Sequence, residues 1–563
     1  MLKIRMAGAF LSLALLVAPR IAPSQAPPRD PRQLSAEEWR ADLRSLVEQL
    51  KKNHKNVYHT TTPAALDSAV ASLASRIPTL PRHAIIAGMM KIVAMIGDGH
   101  TNIYPTRDAV IGFHSFPIAA YRFRDGWFIR AADSAHASIV GSRILKIGGV
   151  PIEEAYRRVK PYIGRDNEMG AKFWAAYLLT MPEMLHVLEL APSTDSAVFE
   201  LETRGKRRSI WMKSRALLRM TPADTDVSWQ RRAGWSDARD LAKIPEPIWL
   251  QSAPDSLLWW YMRIPGTRVG YAQINQVRNG KDESFEDFSN RLLQFADTAG
   301  LEKLVLDVRH NRGGNGSLLK PLEKGLLRRP HVNSPGKLYV IMGRSTWSAA
   351  QFFLNDLLEF SQATFVGEPS GSKGNAYGDS RQMKLPNSGI TARASIFYWQ
   401  DWHPLDTREW IAPDIAAEIS FAEYASNHDP SLAAVIADLP GPGIRDQLRA
   451  LVSADDTAGA RVRFSEFRRD PRRAYVDGHS ILDEVTLTFY NRNDIRRATW
   501  LFALAAEHYP DVVRSHLNLA AMYRVSQKPD LERKSLLRVM QLDAGNSAAT
   551  ARLKALGTPR ESK

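Results

Sequence analysis

At 563 residues the chain exceeds what one ordinary core supports, so roughly two to four domains are expected. A hydrophobic content of 44% with 14 Trp marks a folded chain, and the complete lack of Cys excludes disulfides, thiolate catalysis, Cys-based metal sites and a lipobox anchor. The formal net charge is +15, yet Lys and Arg are scattered among acids with no long basic block interleaved with aromatics, so nucleic acid is not an expected partner; such a surface favours acidic substrates or anionic membrane faces.

The first residues have a signal-peptide layout: a positive start, Met1 to Arg5, an apolar run, Met6 to Val17, and small residues around Ser24-Gln-Ala26. This predicts export to a periplasm or beyond, with an uncleaved N-terminal anchor as the alternative and no other stretch apolar enough to span a membrane. Pro27 to Pro31 reads as a linker. Ser35-Ala-Glu-Glu38 predicts a capped helix carrying Trp39, Leu43, Leu46 and Leu50, and two more helices are predicted over Thr62 to Arg76 and Arg82 to Met95. In the following loop, Gly97 and Gly99 let the backbone present His100, the side chain whose basicity suits neutral pH. Strands are predicted in Phe116 to Arg130, from Val140 into Pro151, and over Val198 to Trp211 around a Gly205 turn, with a helix over Glu153 to Lys160. Asp224 to Pro254 is polar and Trp-rich, a loop over the core; Val269 to Gln276 reads as strand and Phe285 to Ala299 as amphipathic helix.

From Leu304 to Asp379, short apolar runs alternate with helical segments. Leu304 to Arg309, Lys337 to Met342 and Thr364 to Val366 are the strands; Ser317 to Leu327 and Gln351 to Phe360 are the helices. This βαβαβ order predicts a parallel, helix-covered α/β sheet with sites at the carboxyl ends of its strands. Ser348 falls after a strand at the first turn of a helix, with small Ala349 and Ala350 behind it, where a nucleophile is expected and where a backbone N–H such as that of Ala349 can hold an oxyanion. Gly313 and Gly314 offer a second donor from the neighbouring loop, and Asp307 and Arg309 read as a structural ion pair. Further strands are predicted over Arg381 to Leu385 and Ile390 to Trp399, then helix over Pro430 to Leu451 with a break at Pro440-Gly-Pro-Gly443. In the tail, His508-Tyr-Pro-Asp511 and Leu542-Asp-Ala-Gly545 occupy corresponding places 34 residues apart.

Gly97-Asp-Gly-His-Thr101, the loop Leu304 to Gly314, Thr346 to Ala350 and Val366 to Lys373 stand in the order of four motifs of one family over roughly 37–425. The chain thus resembles the tail-specific (C-terminal-processing) serine proteases, relatives of the tricorn core and of retinoid-binding protein repeats. The resemblance implies a ClpP/crotonase-like core and this layout: signal peptide, 1–26; N-terminal helical region, 33–110; PDZ-like β-rich module, 111–215; catalytic core, 216–425; linker or helical extension, 426–479. The tail, 480–556, resembles tetratricopeptide repeats and suits a protein partner.

A serine needs a base within hydrogen-bond reach, and the resemblance offers two. His100 matches the general base of the tricorn branch, with Asp406, or Glu409, as the acid that orients it. Lys373 matches the lysine of the Ser/Lys dyad branch, where burial lowers the ammonium pKa. Both assignments stay open, as does a catalytically silent binding protein on the same fold. No cofactor or metal is expected: the 14 His include no His-Glu-x-x-His pairing, and the Gly loops lack a Gly-Lys-[Ser/Thr] cradle. As partners the resemblance implies protein or peptide substrates.

Overall fold

Apolar runs as continuous as Leu338–Met342 suit strands covered on both faces. In the structure, a computed structural model that describes residues 34–216, 229, 231–251, 258–439 and 441–557, they build a six-stranded sheet. Its order is Trp259–Arg263, Val269–Ile274, Lys303–Asp307, Leu338–Met342, Thr364–Gly367 and Ile415–Ala416. The first pair is antiparallel and the others are parallel, with Leu304 opposite Leu338 and Val340 opposite Phe365. Helices Phe285–Thr298, Lys320–Leu327 and Ala349–Phe360 cover one face, packing Phe288, Leu292, Leu322 and Phe353 on Leu306 and Val340. The other face, with Val305, Tyr339 and Ile341, is closed by Leu432 and Val435. Each such aliphatic side chain contributes about 1.5–3 kcal/mol on full burial. The α/β class expected from the alternating pattern is the one observed.

The predicted signal peptide and Pro-rich linker lie outside the described residues, as do parts of the Trp-rich segment. Among the described residues no helix is long and apolar enough to cross a membrane. Ser35 closes a capping box with Glu38 at the head of Ala36–Asn53, and Pro63–Arg76 and Arg82–Ala94 share its apolar core. That core runs on into a seven-stranded antiparallel sheet built mainly from Ile118–Phe123, Gly126–Asp133, Arg143–Ile147, Ser196–Thr203 and Lys206–Lys213, the region likened to a PDZ module. Between its strands lie Glu168–Leu178 and Pro182–Val187, two helices absent from the sequence reading and buried through Phe173, Met184 and Leu185.

A third sheet positions the site. Asn375–Lys384 and Thr391–Gln400 form a long hairpin, and Asn102–Ile103, just past His100, adds to its second strand with Asn102 opposite Arg393. The first hairpin strand begins at Asn375 instead of Arg381, because Asn375 to Gly378 find a ladder in Phe397 to Gln400 that overrides their weak β propensity. From Ile444 to Ala555 the chain is helical, and one core joins Leu448, Phe464, Leu482, Leu501 and Met522.

Candidate active site

The strand Leu338–Met342 turns through Gly343 to Trp347 and enters the helix Ala349–Phe360 at Ser348. Ser348 has φ +59° and ψ −128°, and its side chain makes no capping hydrogen bond. A non-glycine residue held at such a left-handed angle costs about 1–3 kcal/mol, and strain of this kind clusters where a side chain must be presented. The Ser348 Oγ lies 3.1 Å from His100 Nε2, a pairing across 248 sequence positions.

Trp347 is the platform for the imidazole. The two rings stack with centroids 3.8 Å apart and 19° between planes. Close approach of the indole requires glycine before His100, since a Cβ on Gly99 would lie 2.9 Å from the Trp347 ring. Burial pushes the His100 imidazole below its ordinary pKa, against the opposing pull of the Asp166, Asp98 and Asp379 carboxylates, and so favours the neutral form a base needs. Its Nδ1 is buried, and the Tyr377 backbone adds a smaller pull in the same direction as the carboxylates.

Asp166, which the sequence reading passed over, ties the parts together. One carboxylate oxygen accepts from the Gly99 N–H at 2.8 Å; the other accepts from Trp347 Nε1 at 3.0 Å and Ser372 Oγ at 2.9 Å. It thus holds the loop of His100, the ring beneath it and the hydroxyl that meets the Ser348 N–H at 3.4 Å. Burial pushes the Asp166 carboxyl up, while the His100 charge opposes that. No local pattern marked it: in Arg165-Asp-Asn167 the visible signal is Asn167, the cap of the next helix.

Asp98 secures the histidine loop from the other side. Its Oδ1 accepts from the N–H groups of His100 and Thr101 and from Ser395 Oγ, and Oδ2 accepts from His54 Nε2 at 2.9 Å. Burial would raise this carboxyl, but the His54 hydrogen bond, nearby His59 and Ser395 outweigh it and hold the pKa well below the usual carboxylate range. His54, His59 and Asp98 bring one possible metal-ligand atom each within 4.8 Å of one another, a spatial grouping the sequence did not reveal. His54 Nδ1 accepts the Asn56 N–H at 3.0 Å, so Nε2 carries the proton toward Asp98. That nitrogen offers a donor and no lone pair, so His54 and Asp98 form a hydrogen-bonded clamp, with His59 Nε2 3.9 Å from the same carboxylate.

Ser348 and His100 open on a cavity of about 520 Å³ that Gly314 and Ala349 also line. Gly313 lies behind it with φ +94°, where a Cβ would come within 2.7 Å of Ser348 Cβ and 2.8 Å of Ala349 N. The Gly313 N–H is already given to Asn311 Oδ1 at 2.9 Å, which leaves Gly314 and Ala349 as the amides beside the serine. Lys373 is half-buried on its loop and does not line the cavity, whereas its neighbour Ser372 does. Asp406 is paired with Arg408 at 2.6 Å and is not among the acids around His100. Arg309 bridges Asp307 and Asp429 at 2.8 and 3.0 Å, a structural pair as expected.

No family model matches the sequence, and no curated protein is similar to it. Among solved structures, a mutant of CPAF superposes with a TM-score of 0.50 at 12% identity, covering 72% of this chain and 99% of that one. The fold is that of the tail-specific proteases. Mature CPAF gives 0.49 at 12% identity over 71% and 98% of the two chains. A photosystem II D1 C-terminal processing protease of this tail-specific type gives 0.32 at 12% over 69% and 96%.

Proposed function

We propose that the chain is a serine-type endopeptidase that cleaves exported proteins or peptides through an acyl-enzyme. The observation that carries this reading is the Ser348 Oγ–His100 Nε2 contact of 3.1 Å at a strained strand-to-helix turn, on a tail-specific protease fold. His100 takes the Ser348 proton as Oγ attacks the substrate carbonyl carbon. The carbonyl oxygen, now an anion, is received by the amides of Gly314 and Ala349. Collapse breaks the C–N bond, His100 returns its proton to the leaving amine, and water then releases the acyl group by the same steps. Asp166 and Trp347 orient the ring, and the signal-like first residues support a site of action outside the cytoplasm.

The test is hydrolysis of casein and of a fluorogenic peptide library by the full chain, with Ser348→Ala, His100→Ala and Lys373→Ala beside it. Loss of at least about 10³-fold in the first two, with Lys373→Ala active, is expected. Loss in Lys373→Ala with His100→Ala active would move the base to the lysine. A wild-type chain that cleaves nothing would favour a binding protein on this fold.

A further inference from the structure

The cavity beside Ser348 extends past the reacting groups to a set of side chains that the proposed mechanism leaves unused. Gln351 stands on the first turn of the serine's helix and Asp356 further along it; Glu323 comes from the neighbouring helix and Asp401 follows the hairpin. The one lysine among them, Lys320, bonds Glu323 at 3.0 Å and also Asp356. Three carboxylates against one ammonium leave this end of the cavity negative, and Asp379 adds to it from the rim. The contrast is with a chain of formal net charge +15.

Two acceptors on the cavity wall are buried without a donor. Glu323 is 5% exposed, and while its Oε2 meets Lys320, its Oε1 has no hydrogen-bond partner among the described residues. Gln351 is 0% exposed and its Oε1 is equally unanswered. The amide orientation follows from the network: Asn355 Nδ2 donates to Gly374 O and Asp401 Oδ2, so Asn355 Oδ1 is the acceptor for Gln351 Nε2 at 3.1 Å. An unpaired buried acceptor is destabilising, and a bound N–H donor relieves it. Burial and the Asp356 charge push Glu323 up to about 7, and burial pushes Asp401 up to about 6, so a bound cation would favour the ionised form of both. Among the described residues these acids do not converge as a metal-ligand set. Leu319 and Phe352 supply apolar wall for a methylene stem leading to a charged head.

Building on the peptidase reading, we infer that this cavity is the subsite for a basic substrate residue, and that cleavage occurs beside arginine or lysine whose cationic head meets Glu323, Gln351 and Asp356. The experiment uses the full chain and quenched peptides of Ala and Gly with a single arginine, or its neutral isostere citrulline. A kcat/KM ratio of about tenfold or more in favour of arginine is expected, with mass spectrometry locating the cut beside it. Glu323→Gln, and independently the less buried Asp356→Asn, are expected to bring that ratio toward one. Cleavage of both peptides at equal rates would overturn the inference while leaving the peptidase standing. If neither peptide is cut, calorimetric binding to Ser348→Ala decides the matter without turnover: tighter binding of the arginine peptide sustains the basic subsite, and equal binding overturns it.

Discussion

Replacing Ser348 by glycine is expected to leave the chain more stable than replacing it by alanine, although both changes remove the proposed nucleophile. At φ +59° and ψ −128° the residue carries about 1–3 kcal/mol of backbone strain. Both substitutions forfeit the Oγ contact with His100, worth about 0.5–1.5 kcal/mol net, and neither loses a cap, since the side chain makes none. Alanine keeps the strain. Glycine relieves it and costs about 0.5–1 kcal/mol through the extra freedom of the unfolded chain. The balance is about 1 kcal/mol in favour of glycine, opposite in sign to an ordinary helical position. Urea denaturation of the two variants followed by Trp fluorescence, with equal m-values, measures the difference directly. A glycine variant less stable than the alanine variant by about 0.5–1 kcal/mol, as at an unstrained site, would mean that the turn stores no strain and that Ser348 is not held in place at a cost.

Two further outcomes follow from the acids around His100. Asp166→Asn cannot accept from all three of its donors, so kcat/KM is expected to fall about 10- to 100-fold through misplacement of Trp347 and the ring on it. Losing a carboxylate that favours the imidazolium also moves the acid limb of the kcat/KM profile to lower pH, in part only because Asp98 and Asp379 remain; an unmoved limb would exclude Asp166 from setting the base. The folded Asp98 pKa lies below its unfolded value of about 3.9. Its stabilising contribution is therefore complete above about pH 4 and is lost as pH falls toward the folded value. Asp98→Asn is expected to flatten the acid dependence of the denaturation midpoint, and an identical acid limb in both chains would count against the clamp.

Ser348 was visible in the sequence because strand, turn, small residues and helix follow one another locally, and His100 because Gly97 and Gly99 before it let a loop present an exposed imidazole. The parallel sheet was visible for a similar reason: uninterrupted runs such as Leu338–Met342 occur where both faces are covered. Asp166 was invisible, since its importance arises only where Gly99, Trp347 and Ser372 converge on it in space. The same limit applies to Ser372 and Lys373: in an irregular loop no periodicity tells which of two neighbours faces the cavity. The acidic cavity end was hidden too, because Glu323 on its own helix looks like any acid on an amphipathic surface, and its burial shows only once that helix meets the serine's helix in space. Asn375 to Gly378 read as loop by composition, and their strand state depends on partners in Phe397 to Gln400, on the far side of the hairpin turn.

The serine and its base are 248 positions apart, and the strand after His100 is held in place by a hairpin made later than Ser348 itself. On the proposed mechanism, hydrolytic competence is then a late property of the chain. A molecule whose amino-terminal third has not yet docked carries a hydroxyl with no proton acceptor, and one interrupted before Thr391 lacks the strand that pairs with Asn102 and the Ser395 hydroxyl that bonds Asp98. On that mechanism the order of the chain itself delays activity until the hairpin has formed.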